Sequence, residues 1–285
     1  MMRLVLLLSF ALLLPQLAVS TPSSAQAPSF DKLQEQDEPL EINATEGIEW
    51  RREEQLYVAR GDAVVSSGDL AVHAEVLSAH YVELSDGSSE IDRVDAEGDV
   101  RIVTPNAVVY GDAGAFDVVN GVLVLVGENL RLESGNDLVT ARDSLEYWEG
   151  KRLAVARGDA QAVRDDRRVK ADILSAHFEP DAKGSLRIRR IDAIGNVRIV
   201  TPTEFAQGDR GVYYVDERVA TLKGDVKITR GENQLNGEYA EVNLESGISR
   251  LLASAPGEAA PSGGSSTRVQ GLILPRKKPA AGSGQ

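Results

Sequence analysis

The residue types that carry most protein chemistry are sparse in this chain. Its three histidines, His73, His80 and His177, have no cysteine to join them. His80 and His177 end matching Leu-Ser-Ala-His tetrapeptides 97 residues apart, so a repeat separates them and they cannot share a metal; their expected role is structural. Glycines followed by Asp, Asn or Glu recur at Gly61, Gly98, Gly127, Gly158, Gly195 and Gly224. Calcium-binding β-rolls converge carboxylates at nonapeptide intervals. Here the intervals are 37, 29, 31, 37 and 29 residues, and Glu128 and Asn196 break the Asp pattern, so turn chemistry accounts for the pairs. Arg60-Gly61-Asp62 and Arg157-Gly158-Asp159 spell an adhesion tripeptide, but arginine merely precedes the recurrent turn pair. Asn43-Ala44-Thr45 fits a glycosylation sequon short enough to arise by chance. No Ser-His-Asp arrangement, phosphate-cradling loop or zinc spacing is present, and no pair of carboxylates stands out. The chain therefore reads as non-enzymatic, with no metal and no cofactor.

A formal charge of −13 disfavours nucleic acid, which needs clustered Lys and Arg. An anionic partner would have to be gripped mainly through its apolar part.

The elements that would position a binding surface are repeated. Residues 59–112 and 156–209 align without a gap at a shift of 97, with 27 of 54 positions identical. Val100-Arg101-Ile102-Val103-Thr104-Pro105 returns unchanged as Val197-Arg198-Ile199-Val200-Thr201-Pro202. Stacked units of this kind share one core and make elongated surfaces. Period-2 alternation in Val100-Arg101-Ile102, Leu130-Arg131-Leu132, Val197-Arg198-Ile199 and Val226-Lys227-Ile228 predicts short strands, and each follows one of the glycine turn pairs. Almost no helix is expected. Such strands suit an antiparallel all-β sandwich, barrel or solenoid, and the duplication favours an extended member of that set.

The ends differ from this body. Residues 1–27 read as a secretory signal: Arg3, an apolar run broken by Pro15, and an Ala25-Gln26-Ala27 cleavage pattern. The apolar run has about 16 residues, short of the roughly 20 a spanning helix needs. Residues 28–39 form a charged leader. Modules are expected at 40–155 and 156–254, then a flexible linker at 255–266, a terminal strand at 267–275 and a disordered tail at 276–285. The exported, cysteine-free chain suits a bacterial envelope compartment. An unpaired edge at Leu40 and Ala44 and another at Val269, Leu272 and Leu274 could join subunits head to tail.

The export signal joins a series of short motifs. They begin with Pro39-Leu40-Glu41-Ile42-Asn43-Ala44 and the Gly61-Asp62 hairpin. Asp95-Ala96-Glu97-Gly98-Asp99-Val100, Gly111-Asp112-Ala113, Phe116-Asp117 and Leu125-Val126-Gly127-Glu128 follow. The second copy adds Gly208-Asp209, Tyr213-Tyr214, Leu222-Lys223-Gly224-Asp225-Val226 and Leu235-Asn236-Gly237-Glu238-Tyr239-Ala240, and the chain closes with Arg268-Val269-Gln270-Gly271-Leu272-Ile273-Leu274-Pro275. Together these resemble the OstA-like family of periplasmic lipopolysaccharide-transport proteins, in its LptA-type branch. The resemblance implies an elongated, twisted, open β-jelly roll whose interior carries lipid A acyl chains. It also implies a bridge from an inner-membrane LptC-like component to an outer-membrane LptD-like one. Carried over by position, the lipid-facing residues are Leu40, Ile42, Phe116, Val118, Tyr213 and Val215. The alternating Val100, Ile102, Leu130, Leu132, Val197, Ile199, Val226 and Ile228 complete the lining. A membrane-tethered LptC-like subunit and a β-solenoid with a dry core are the alternatives.

Overall fold

The computed structural model describes residues 41–182, 184–243, 245–246, 248–257 and 269–272. The expected signal, leader and tail, most of the linker, Leu40 and Leu274 lie outside these. Among the described residues there is no helix, and eighteen strands form one antiparallel sheet. The chain is all-β.

The sheet is a ladder of rungs, each hydrogen-bonded to the next along the chain. The first rung is shared by β1 (Glu41–Asn43) and β2 (Gly47–Arg51), both of which pair with β3 (Leu56–Ser67). Then come β4 (Leu70–Glu83), β5 (Ser89–Val103) and β6 (Val108–Asp117). β7 (Val122–Val126) and β8 (Arg131–Ser134) share a rung, as do β9 (Asp137–Thr140) and β10 (Ser144–Trp148). The ladder continues through β11 (Leu153–Arg164), β12 (Arg167–Pro180), β13 (Leu186–Val200), β14 (Phe205–Tyr214), β15 (Val219–Arg230) and β16 (Asn233–Asn243). β17 (Ile248–Leu252) and β18 (Gln270–Leu272) share the last rung, both against β16. Eighteen strands less four shared rungs gives fourteen rungs. The bounds of β2 to β6 recur in β10 to β14 at an offset of 97 residues. The boundary expected between 155 and 156 falls inside β11, and both copies lie in the one continuous sheet.

The glycine pairs do not make hairpins. Gly61-Asp62, Gly98-Asp99, Gly158-Asp159, Gly195-Asn196 and Gly224-Asp225 lie inside strands, with both residues at positive φ (Gly195 +77°, Asn196 +50°). Each pair adds one residue to its strand relative to the neighbours: Arg60 faces Val76 and then Ala63 faces Ala74. Two successive left-handed residues bend the strand without ending it. Asp and Asn tolerate that conformation because their short side chains can bond locally. Glu128 takes the same place after Gly127 but has no positive φ, and there the strand is interrupted between β7 and β8.

These corners divide every rung into two arms. Arm A holds β2, β7, β10, β17 and the matching halves of the long strands. Arm B holds β1, β8, β9, β18 and the other halves. Among the described residues, backbone ladders pair A with A and B with B. The arms meet only through side chains, which form one core. A Cβ on Gly211 of arm A would lie 3.5 Å from Val197 of arm B.

Candidate functional site

Because side chains alternate across a strand, each arm turns every second residue inward. On arm A the register aligns Ala59, Leu77, Ala96, Gly114, Leu125 and Leu145 in one inward column, and Ala156, Leu174, Ala193, Gly211, Leu222 and Ala240 continue it. The column mixes alanine and glycine with leucine, and Leu125 packs over Gly114 as Leu222 does over Gly211. On arm B, Ile42, Val65, Val72, Ile102, Val109 and Leu132 align, followed by Val139, Ala162, Val169, Ile199, Ala206 and Ile228.

Most of the predicted lining residues come together here. Val100, Ile102, Phe116, Leu130, Val197 and Val226 are buried in the core, and Ile42, Val118, Leu132, Ile199 and Ile228 pack against it half-buried. Tyr213 faces inward on β14 and is half-buried, and Val215 lies just beyond that strand with its N–H bonded to the Arg189 carbonyl. An aspartate at Phe116 would bury a charge in a packed core, so that position reports on folding as much as on binding.

The interior is not uniform along its length. Mid-ladder it is closed: Val100 and Leu125 are each 1% exposed. At the first rung no other described residue covers it, and Ile48 and Trp50 are 51% and 52% exposed. Trp50 is held there by stacking on Tyr57, by donating its indole N–H to the Tyr81 hydroxyl at 2.9 Å, and by Arg52 over its ring. A cavity of about 10 Å³ between Ile42, Tyr57, Val65 and Leu77 has room for one water at most. The two copies also differ in side-chain volume. Inward Tyr57, Val65, Val109 and Leu123 of the first copy become Ala154, Ala162, Ala206 and Ala220 in the second. Sequence reasoning did not draw this contrast, although comparing the two copies position by position carries the signal.

The described members of the expected edges lie on the first and last rungs. Ala44 packs half-buried at the first corner. Val269 and Leu272 are exposed, and Leu272 faces outward because Gly271 takes the inward position against Leu235. β18 docks on its own β16, on the rung it shares with β17.

The histidines sit outside. His80 contacts Asp95 at 3.1 Å and His177 contacts Asp192 at 2.7 Å, on the outer face of arm A. Arg93 and Arg190 complete the two ion-pair clusters. Among the described residues no three acidic or histidine side chains converge as metal ligands.

Residues 139–248, from β9 into β17, match the family described as LptA/(LptD N-terminal domain) LPS transport protein. That is a family of transport proteins, not of enzymes. Among solved structures the chain is similar to LptH, the LptA homologous periplasmic component of the conserved lipopolysaccharide transport device from Pseudomonas aeruginosa. The identity is 13%, over 83% of this chain and 96% of that one, with a TM-score of 0.23. No curated protein sequence matches the chain.

Proposed function

We propose that this chain is an OstA-like protein of the LptA type and that it carries lipopolysaccharide across the periplasm with the acyl chains held between the two arms; the match of residues 139–248 to the LPS transport family supports this. One observation carries the reading: the inward columns continue from rung to rung through both copies, and among the described residues no further strand pairs beyond the first and last rungs. At about 4.8 Å per rung the interior is about 62 Å long. An acyl chain of a dozen methylenes gains at most about 10 kcal/mol by burial there, at ~0.8 kcal/mol each. Entry requires the arms to separate, which breaks side-chain packing and no backbone ladder. The alanines of the second copy make that half the easier one to open. The first and last rungs would pair with LptC-like and LptD-like components, or with another copy of this chain, and continue the interior. The amino-terminal segment is read as a cleaved export signal.

A dry, structural core is the competing reading, and the closed first copy favours it. Photocrosslinking in living cells separates the two. A crosslinker at Ile199 or Tyr213 should yield adducts that blot for lipopolysaccharide, and one at the outward Ser175 should not. Equal labelling at all three sites, or none, would leave the dry core as the better account.

A further inference from the structure

The outer face of arm B is charged opposite to the rest of the molecule. Lys170 on β12 stands directly across the ladder from Arg198 on β13, and Lys227 on β15 follows two rungs later. The first copy repeats the arrangement, with His73 opposite Arg101 and then Arg131, whose guanidinium lies 3.6 Å over the Tyr110 ring. From β3 to β16 the outward paired positions of arm B carry a single carboxylate, Glu133, bound to Arg131 at 2.9 Å, and further carboxylates, Glu75 and Asp172 among them, stand at the corners. Asp159 and Asp225 at the corners reach Lys170 and Lys227, at 3.2 and 2.8 Å. Among the described residues no carboxylate pairs with Arg101 or Arg198. This occurs on a chain of charge −13.

Like charges directly opposite one another destabilise a ladder. The chain nevertheless opposes two cations, Lys170 and Arg198, in the second copy, with His73 and Arg101 at the same rung of the first, while on arm A it neutralises Arg93 and Arg190 with Asp95 and Asp192. We propose that the outer face of arm B is a phosphate-binding surface, bracketed by Lys170 and Arg198 in the second copy and by His73 and Arg101 in the first. The phosphates are those of the glycolipid's saccharide head. Only this identity of the ligand rests on the proposed transport function; the site itself rests on the register. Opposed Cβ atoms lie about 5 Å apart, so both side chains can donate to one phosphate. The Arg fork supplies directed bonds and the Lys a mobile charge. The two brackets are six rungs apart, about 29 Å. Burial, and then Arg101, hold the His73 pKa below its ordinary value, so the Lys170–Arg198 bracket dominates at neutral pH. A head group that crosses the rim of arm B reaches it while its acyl chains stay between the arms.

The test uses the mature chain, Lys170→Gln, Arg198→Gln and the double variant. Melting is measured at low salt with and without inorganic pyrophosphate, and binding is measured with phosphorylated and enzymatically dephosphorylated lipopolysaccharide. Without anion Arg198→Gln should melt above the parent, because the charge opposed to Lys170 is relieved while the Lys170–Asp159 pair stays. Pyrophosphate should raise the melting temperature of the parent and not of the double variant. The double variant should bind phosphorylated lipopolysaccharide about tenfold more weakly, with a flatter salt dependence, and dephosphorylated lipopolysaccharide as the parent does. Equal protection of parent and double variant by pyrophosphate, or unchanged affinity and salt dependence, would overturn the site. Protection through Lys170 and Arg198 without binding of either lipopolysaccharide by the parent keeps the phosphate site and removes the transport reading.

Discussion

Ala206 offers the sharpest test of where an acyl chain would go. It faces inward on arm B between Ile199 and Ile228 and is half-buried, whereas its first-copy counterpart Val109 is 4% exposed. Ala206→Leu adds three carbons on the inward side. If that space is free, their burial contributes up to about 2.4 kcal/mol to stability, at ~0.8 kcal/mol per carbon. Local overpacking offsets part of this, by about 1–3 kcal/mol, so the unliganded variant should unfold in urea within about 1 kcal/mol of the parent. An acyl chain that uses the same space loses contact with about three methylenes, about 2.4 kcal/mol or roughly sixtyfold in affinity. Val109→Ala is the reciprocal control. It empties a filled site and should cost about 2 kcal/mol of stability while leaving affinity nearly unchanged. Urea unfolding and equilibrium binding of fluorescent lipopolysaccharide read both quantities. A variant with Leu at 206 that loses more than about 2 kcal/mol and binds like the parent would refute the reasoning, because the second copy would then be as full as the first.

Three further outcomes are expected. Gly195→Ala forces a side chain to φ +77° and onto Asp172, and should cost about 1–3 kcal/mol. Gly184→Ala, at φ +86° with nothing within 4 Å, should lose less, and equal losses in chemical denaturation would show that crowding at the corner is unimportant. Truncation after 257 removes β18 from β16 and should lower the melting temperature by about 2–4 °C at any dilution; unchanged melting with lost self-association would mean that this strand pairs in trans. Burial raises the Glu146 pKa, but bonds from Arg157 at 2.6 Å, Trp148 and Ser144 outweigh it and hold the carboxyl below its usual range. Folding lowers this pKa, so the stabilisation is present above the unfolded pKa and lost as pH falls through the folded one. Glu146→Gln should therefore be destabilised at pH 7 and approach the parent in acid; a constant difference across that range would contradict the linkage.

Sequence alone determined the strand content and the face each residue takes. Alternation in Val100-Arg101-Ile102 and Val197-Arg198-Ile199 assigned the inward residues because the pleat is a local property with a period of two. The repeat likewise fixed which elements would match. Tertiary structure decided what became of the glycine pairs. Two left-handed residues fit a hairpin or a bend inside a strand, and the outcome depends on whether the neighbouring rungs carry the ladder past them. It also decided that the outward Lys170 and Arg198, 28 residues apart in the chain, become direct neighbours, and that β18 closes its own last rung. Cross-strand neighbours are set by register between distant segments, and no local pattern encodes that register. The apolar interior was therefore legible in the sequence, and the charged exterior column was not.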